Sequence, residues 1–164
     1  MSLKSSQKIR TILVVLGIVA VFVFFATKAN RSVAAPLNGK TVVIYRSATC
    51  GCCQQYISYL KKNGLAVEEK IIDGDDSELA SIKDQFKVPE KIRSCHTMRL
   101  DGYTIEGHVP VEAIQKLLAD KPDFAGIALP GMPAGSPGMP GVKFGKFDIA
   151  SFTSTGLFFP YLSL

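Results

Sequence analysis

Hydrophobic positions along the chain follow two periods, and the points where one gives way to the other mark its elements. "KTVVIYRS", residues 40–47, is a β-branched run of strand length. After a short turn, "CQQYISYLKKNG" sets Tyr56, Ile57 and Leu60 on one side at helical spacing and stops at Asn63-Gly64, a helix exit. "LAVEEKIID" reads as a second strand. Ser77 reads as the N-cap of a helix over "ELASIKDQF", which Val88-Pro89 ends. "SCHTMRL" and "YTIEGHV" are strand-like runs separated by Asp101-Gly102, a strong hairpin signal. "PVEAIQKLLAD" closes the series as a helix with Pro110 at its start.

Strand, helix, strand, helix, hairpin, helix is the thioredoxin-like order, an α/β fold with a mixed sheet and flanking helices. Beyond residue 121 the pattern changes. "LPGMPAGSPGMPG", 129–141, has eight Gly or Pro in its last twelve residues, which excludes a helix or a central strand. The tail "VKFGKFDIASFTSTGLFFPYLSL" is aromatic and apolar enough to pack, with one added strand expected at "KFDIASF".

The first 35 residues stand apart as a hydrophobic leader. Lys4, Lys8 and Arg10 precede an apolar run from Ile12 to Ala26, and Lys28, Arg31 and "SVAAP" follow it. The run is at the top of the signal-peptide range and below the roughly 20 residues of a bilayer-spanning helix. Two readings stay open: a signal peptide cleaved after Ala34, or a membrane anchor through residues 11–26. Either way the domain, residues 36–164 with the Gly/Pro/Met loop 129–141 inside it, is expected in the periplasm or an equivalent exported compartment. Of the 19 basic residues five lie in the leader and 14 beyond it, against 14 acidic residues, all beyond it. The overall charge of +5 therefore belongs to the leader. A formally neutral domain argues against a nucleic-acid partner.

The chemistry concentrates in "SATCGCCQQY", where Cys50, Cys52 and Cys53 fall within four positions, and in "RSCHTM", which holds Cys95 beside His96. In the thioredoxin-like order the first cluster sits at a helix N-terminus, whose positive dipole end favours thiolate. Cys95 opens the first hairpin strand, which in that fold faces the turn. Four cysteines of an exported domain form two structural disulfides by default, but adjacent Cys52 and Cys53 make two separate bridges awkward. A redox C-x-x-C bridge accounts for Cys50 and Cys53 and leaves Cys52 and Cys95 without a role. Zinc sites usually draw on two separated knuckles. Soft thiolates at close spacing suit Cu(I), which accepts bridged, multinuclear arrangements.

The outlying groups are less specific. His96 is a ligand or a strand residue facing away, since side chains alternate along a strand. His108 reads as a solvated loop histidine. Met132 and Met139, in a repeated "GMP", are incidental, soft ligands or part of a lid. Arg93 reads either as a charge that lowers the pKa of Cys95 or as a solvated arginine.

"CGCC", "IRSCHT", "DGYTIEGHVP" and "LPGMPAGSPGMPG", occurring in that order from Thr41 to Gly141, resemble the exported metal-binding family that includes the CopG-type copper-resistance proteins. The resemblance implies a copper-handling role in the periplasm, with Cys50, Cys52, Cys53 and Cys95 as the metal-binding thiols. The aromatic tail after Pro140 departs from that family's pattern. The expectation is thus a metal-binding protein more than an enzyme. It holds Cu(I), one ion or a small cluster, through the four cysteines with His96, in copper resistance, its partners being metal ions and other copper-handling proteins. The competing expectation is a thiol–disulfide oxidoreductase using Cys50 and Cys53.

Overall fold

The structure is a computed structural model that describes residues 36–73 and 76–164; the leader, with both of its readings, lies outside the described residues. Strand β1 (Thr41–Ser47) leads into helix α1 (Gly51–Lys62), strand β2 (Ala66–Ile72) and helix α2 (Asp76–Gln85). A 3-10 turn at Glu90–Ile92 precedes the hairpin β3 (His96–Leu100) and β4 (Tyr103–Glu106), then helix α3 (Val111–Asp120). Three further strands follow: β5 (Gly126–Ala128), β6 (Asp148–Phe152) and β7 (Phe158–Ser163). Among the described residues no helix is long and apolar enough to cross a membrane.

Among the described residues seven strands form one mixed sheet in the order β2-β1-β3-β4-β5-β6-β7. The four strands of the thioredoxin-like unit pair as their order requires: β1 parallel to β2, and antiparallel β1/β3 and β3/β4. Strand β5 lies parallel to β4, its return made through α3, and β6 and β7 extend the sheet antiparallel. The tail therefore contributes a hairpin, one strand more than its sequence signalled. Ser77 is a second correction: α2 begins at Asp76, so Ser77 lies in the first turn and is not its cap.

Period-two alternation decides which chemistry lands on which face. In β1, Val42, Ile44 and Arg46 are buried; Ile44 pairs with Met98 and Arg46 with His96. These residues share the face packed by Tyr56, Ile57 and Leu60 of α1 and by Ile114, Leu117 and Leu118 of α3. The alternate residues look toward α2: Tyr45 meets the Phe86 ring edge-on at 5.3 Å, and Arg99 stacks over the same ring. Thr97, and Glu106 opposite it, lie on this second face. Phe152, Val88, Ile92 and Ala128 form a separate apolar cluster.

The hairpin turn uses the chemistry its dipeptide announces. Asp101 and Gly102 both have positive φ, 48° and 86°, the combination a two-residue turn of the primed type requires. The turn locks Leu100 opposite Tyr103 and carries that register up to Thr97 opposite Glu106.

Candidate metal centre

Cys50 is the residue before α1 and has extended backbone geometry, with no side-chain cap on the helix. Cys52 and Cys53 lie in the first helical turn, Cys53 fully buried and Cys52 half-buried. The unpaired amides of that turn place partial positive charge beside all three sulfurs. Cys95 arrives from the other end of the chain segment, in the stretch between the 3-10 turn and β3. Its Sγ is 3.5 Å from Cys53 Sγ and 4.0 Å from Cys52 Sγ, and Cys52 Sγ is 3.4 Å from Cys50 Sγ. The four sulfurs all lie within 4.8 Å of one another. Cys50 and Cys53 are joined as a disulfide, and Cys52 and Cys95 are free thiols.

Two histidines complete the surroundings. His96 opens β3 on the α1 face, wholly buried, with Nδ1 3.3 Å from Cys95 Sγ and its ring 4.8 Å from that of Tyr56. Among the described residues its buried Nε2 has no hydrogen-bond partner. His108 is also fully buried, against the expectation of a solvated loop residue. Its Nδ1 is 2.6 Å from the Pro137 carbonyl and its Nε2 3.1 Å from Cys95 Sγ. A carbonyl oxygen only accepts, so Nδ1 carries the proton and Nε2 presents a bare lone pair to Cys95. The signal for His108 was present in the sequence. Continuing the hairpin register that Asp101-Gly102 fixes puts residue 108 opposite residue 95.

Burial pushes both imidazoles down, His96 well below the ordinary histidine value with His108 as the next cause. They are neutral at pH 7, the form that binds metal. Burial, then the charge of neighbouring Cys52, pushes the Cys95 thiol up to about 12. Arg93 does not act on it as expected: it pairs with Asp84 and donates to the Val88 carbonyl. The cation that pulls the other way is Lys83.

Segment 129–141 lies against the site. Gly138 has φ +81°, and a Cβ there would fall 2.5 Å from Tyr56 N and 2.9 Å from the Cys52 carbonyl. Pro137 supplies the carbonyl that fixes the His108 tautomer. Met132 is 40 % exposed.

A chain in this state should show two reactive thiols when denatured without reductant, and four after reduction, by thiol titration. In the native protein Cys95 should alkylate slowly at neutral pH and faster in alkali. Its raised pKa also stabilises the fold in full below the ordinary thiol value of 9.0, a contribution lost as pH climbs toward about 12. Alkylation of Cys95 at pH 7 as fast as that of a solvent-exposed thiol would contradict the burial.

Together the fold and the site define a class: a thioredoxin-like protein whose strand–helix turn carries a thiol cluster that can hold a soft metal. The chain is 34% identical to the structure of copper resistance protein CopG in form 2, covering 76% of this chain and 98% of that one with a TM-score of 0.68. Form 1 of the same protein matches at 35% identity, 76% and 96% coverage and a TM-score of 0.66. Residues 92–139 match a family described as a protein of unknown function, DUF411. No curated protein matches the chain. The chain belongs to the CopG copper-resistance family.

Proposed function

We propose that this protein binds Cu(I) through Cys50, Cys52, Cys53 and Cys95, with His96 and His108 beside the thiols, and serves copper resistance in an exported compartment. The observation that carries the reading is the arrival of Cys95, from more than forty residues away, among the three sulfurs of the turn. The donor set agrees with the metal: four soft sulfurs suit Cu(I) over hard cations, and the neutral imidazoles of His96 and His108 approach Cys95 Sγ through Nδ1 and Nε2. The similar solved structures are of a copper resistance protein. The leader supports export.

The Cys50–Cys53 pair gives the site a second use. Reduced, the two thiols lose two protons and two electrons as their S–S bond forms, and two Cu(II) ions each gain one electron to become Cu(I). In reverse, two Cu(I) ions each return one electron to the disulfide, which takes up two protons and becomes two thiols again. The bare Nε2 of His108, 3.1 Å from Cys95 Sγ, is placed to accept that thiol's proton as it becomes a ligand.

The test is to add Cu(II) to the fully reduced, metal-free chain without oxygen. About two equivalents of Cu(I) should form for each pair of thiols lost, by the two-electron stoichiometry of the disulfide couple. Binding is read separately by adding Cu(I) to the same fully reduced chain without oxygen, and failure to retain copper there would remove the metal reading. The thiol–disulfide oxidoreductase reading is favoured by one observation, the disulfide at the N-terminus of α1. Cys52→Ser separates them, since disulfide exchange through Cys50 and Cys53 tolerates it and a four-thiol site does not.

A further inference from the structure

On the sheet face opposite His96 lies a group of buried polar side chains outside the thiol cluster. Lys83, from α2, is 5 % exposed, and Thr97 and Glu106, from β3 and β4, are fully buried. Lys83 Nζ donates to Glu106 Oε1 at 2.6 Å and to Thr97 Oγ1 at 2.8 Å, and Thr97 Oγ1 donates to Glu106 Oε2 at 2.5 Å. The remaining donor to the carboxylate is a backbone one: Ser94 N–H reaches Glu106 Oε1 at 2.6 Å. Burial pushes the Glu106 carboxyl up while the Lys83 ammonium and these hydrogen bonds pull it down.

Such a group needs an explanation beyond stability. A buried ion pair recovers little more than the cost of desolvating it, and well-packed apolar residues in its place are often neutral or stabilising. What this pair does that an apolar pair cannot do is hold one backbone amide. That amide belongs to the residue immediately before Cys95, in a stretch that has left the 3-10 turn and not yet joined β3, where no strand ladder fixes the chain. The neighbouring Arg93 side chain holds the preceding segment through the Val88 carbonyl.

We infer that Glu106, fixed by Lys83 and Thr97, is a positioning residue for Cys95: its carboxylate anchors the Ser94 amide and thereby aims Cys95 Sγ at the CGCC turn. The inference rests on Cys95 belonging to the thiol site. Without the anchor the stretch can relax, and Cys95 Sγ leaves the 3.5 Å approach to Cys53. An amide side chain in place of the carboxylate still accepts from Ser94 N–H, whereas an alkyl side chain cannot.

The test uses the full chain, metal-free and reduced, carrying Cys50→Ser and Cys52→Ser, so that the disulfide formed with diamide is Cys53–Cys95. Two double substitutions are compared: Lys83→Met with Glu106→Gln, and Lys83→Met with Glu106→Leu. Both remove the buried charges, and only the second removes the acceptor. The Gln protein sets the reference rate, because both proteins lack the Lys83 charge that acts on Cys95. The Leu protein should be about tenfold slower, the factor that loss of one hydrogen bond of ordinary net strength corresponds to. Equal rates in the two proteins overturn the inference. If the Leu protein does not fold, hydrogen exchange at Ser94 N–H in the unsubstituted chain decides: slow exchange upholds the anchor, and exchange as fast as at an exposed turn amide overturns it. Copper binding is measured separately on the unsubstituted chain. A chain that fails to bind Cu(I) ends the metal reading while the cross-linking rates still judge the anchor; a chain that binds Cu(I) while the rates are equal ends the anchor alone.

Discussion

Cys95→Ser should cost the protein most of its copper. The substitution replaces a soft sulfur by a hard oxygen at the point that approaches Cys52 and Cys53 within 4.0 Å and 3.5 Å, and Cu(I) has little affinity for such an oxygen. Loss of an outer partner alone typically lowers metal affinity by about 10–100-fold; loss of a ligand should do at least as much, and copper stoichiometry should fall in a step. The fold should survive, because serine is smaller and the Ser94 anchor and the His96 strand are untouched. Copper content after dialysis against a chelator, with circular dichroism as the control, checks both halves. Cys52→Ser should fall similarly. His108→Ala should fall less, its nitrogen facing one sulfur alone. Unchanged copper in Cys95→Ser would reduce the site to a turn with a disulfide and leave the oxidoreductase reading standing.

The thioredoxin-like unit was legible because each of its elements is signalled locally. Asn63-Gly64 stops α1, Asp101-Gly102 makes the hairpin, and a β-branched run marks β1. The extension was harder to read for physical reasons. Strand β5 is three residues long and wholly buried, with no alternation to detect. Strand β7 contains Pro160, which argues against a strand in the sheet interior; here it lies in the last strand of the sheet, beside an irregularity in the β6 pairing at Ile149/Ala150. The thiol site was legible only in part. Cysteine spacing pointed to Cys50, Cys52 and Cys53, and element order pointed to Cys95. His108 needed the hairpin register carried two residues past the end of β4. Lys83 and Glu106 carried no signal at all: a lysine in an amphipathic helix and a glutamate ending a strand read as solvated charges, and only the packing of α2 on the sheet brings them together.

The segment 129–141 makes the second large prediction. Gly138→Ala should destabilise the domain and loosen the histidine side of the site together. The residue sits at φ +81°, a backbone conformation disfavoured for alanine. Its added Cβ would meet the backbone of α1 at Tyr56 N, 2.5 Å away, Tyr56 Cα, 2.8 Å, and the Cys52 carbonyl, 2.9 Å. Helix backbone cannot step aside as a flexible side chain can, so the segment must lift. Strain and overpacking together cost roughly 2–4 kcal/mol, a fall in Tm on the order of 10 °C for a domain of this size. Lifting carries Pro137 away from His108, and with it the carbonyl that holds the proton on Nδ1. The imidazole is then free to turn its N–H toward Cys95 in place of its lone pair. Thermal melting reads the first effect, and the nitrogen chemical shifts of His108 in the metal-free protein read the second. Gly131→Ala is the control, because its positive φ of 74° brings similar backbone strain with nothing within 4 Å of its Cβ. A Gly138→Ala protein as stable as the Gly131→Ala control, with the His108 tautomer unchanged, would mean that the loop does not pack on the cysteine helix as the structure places it.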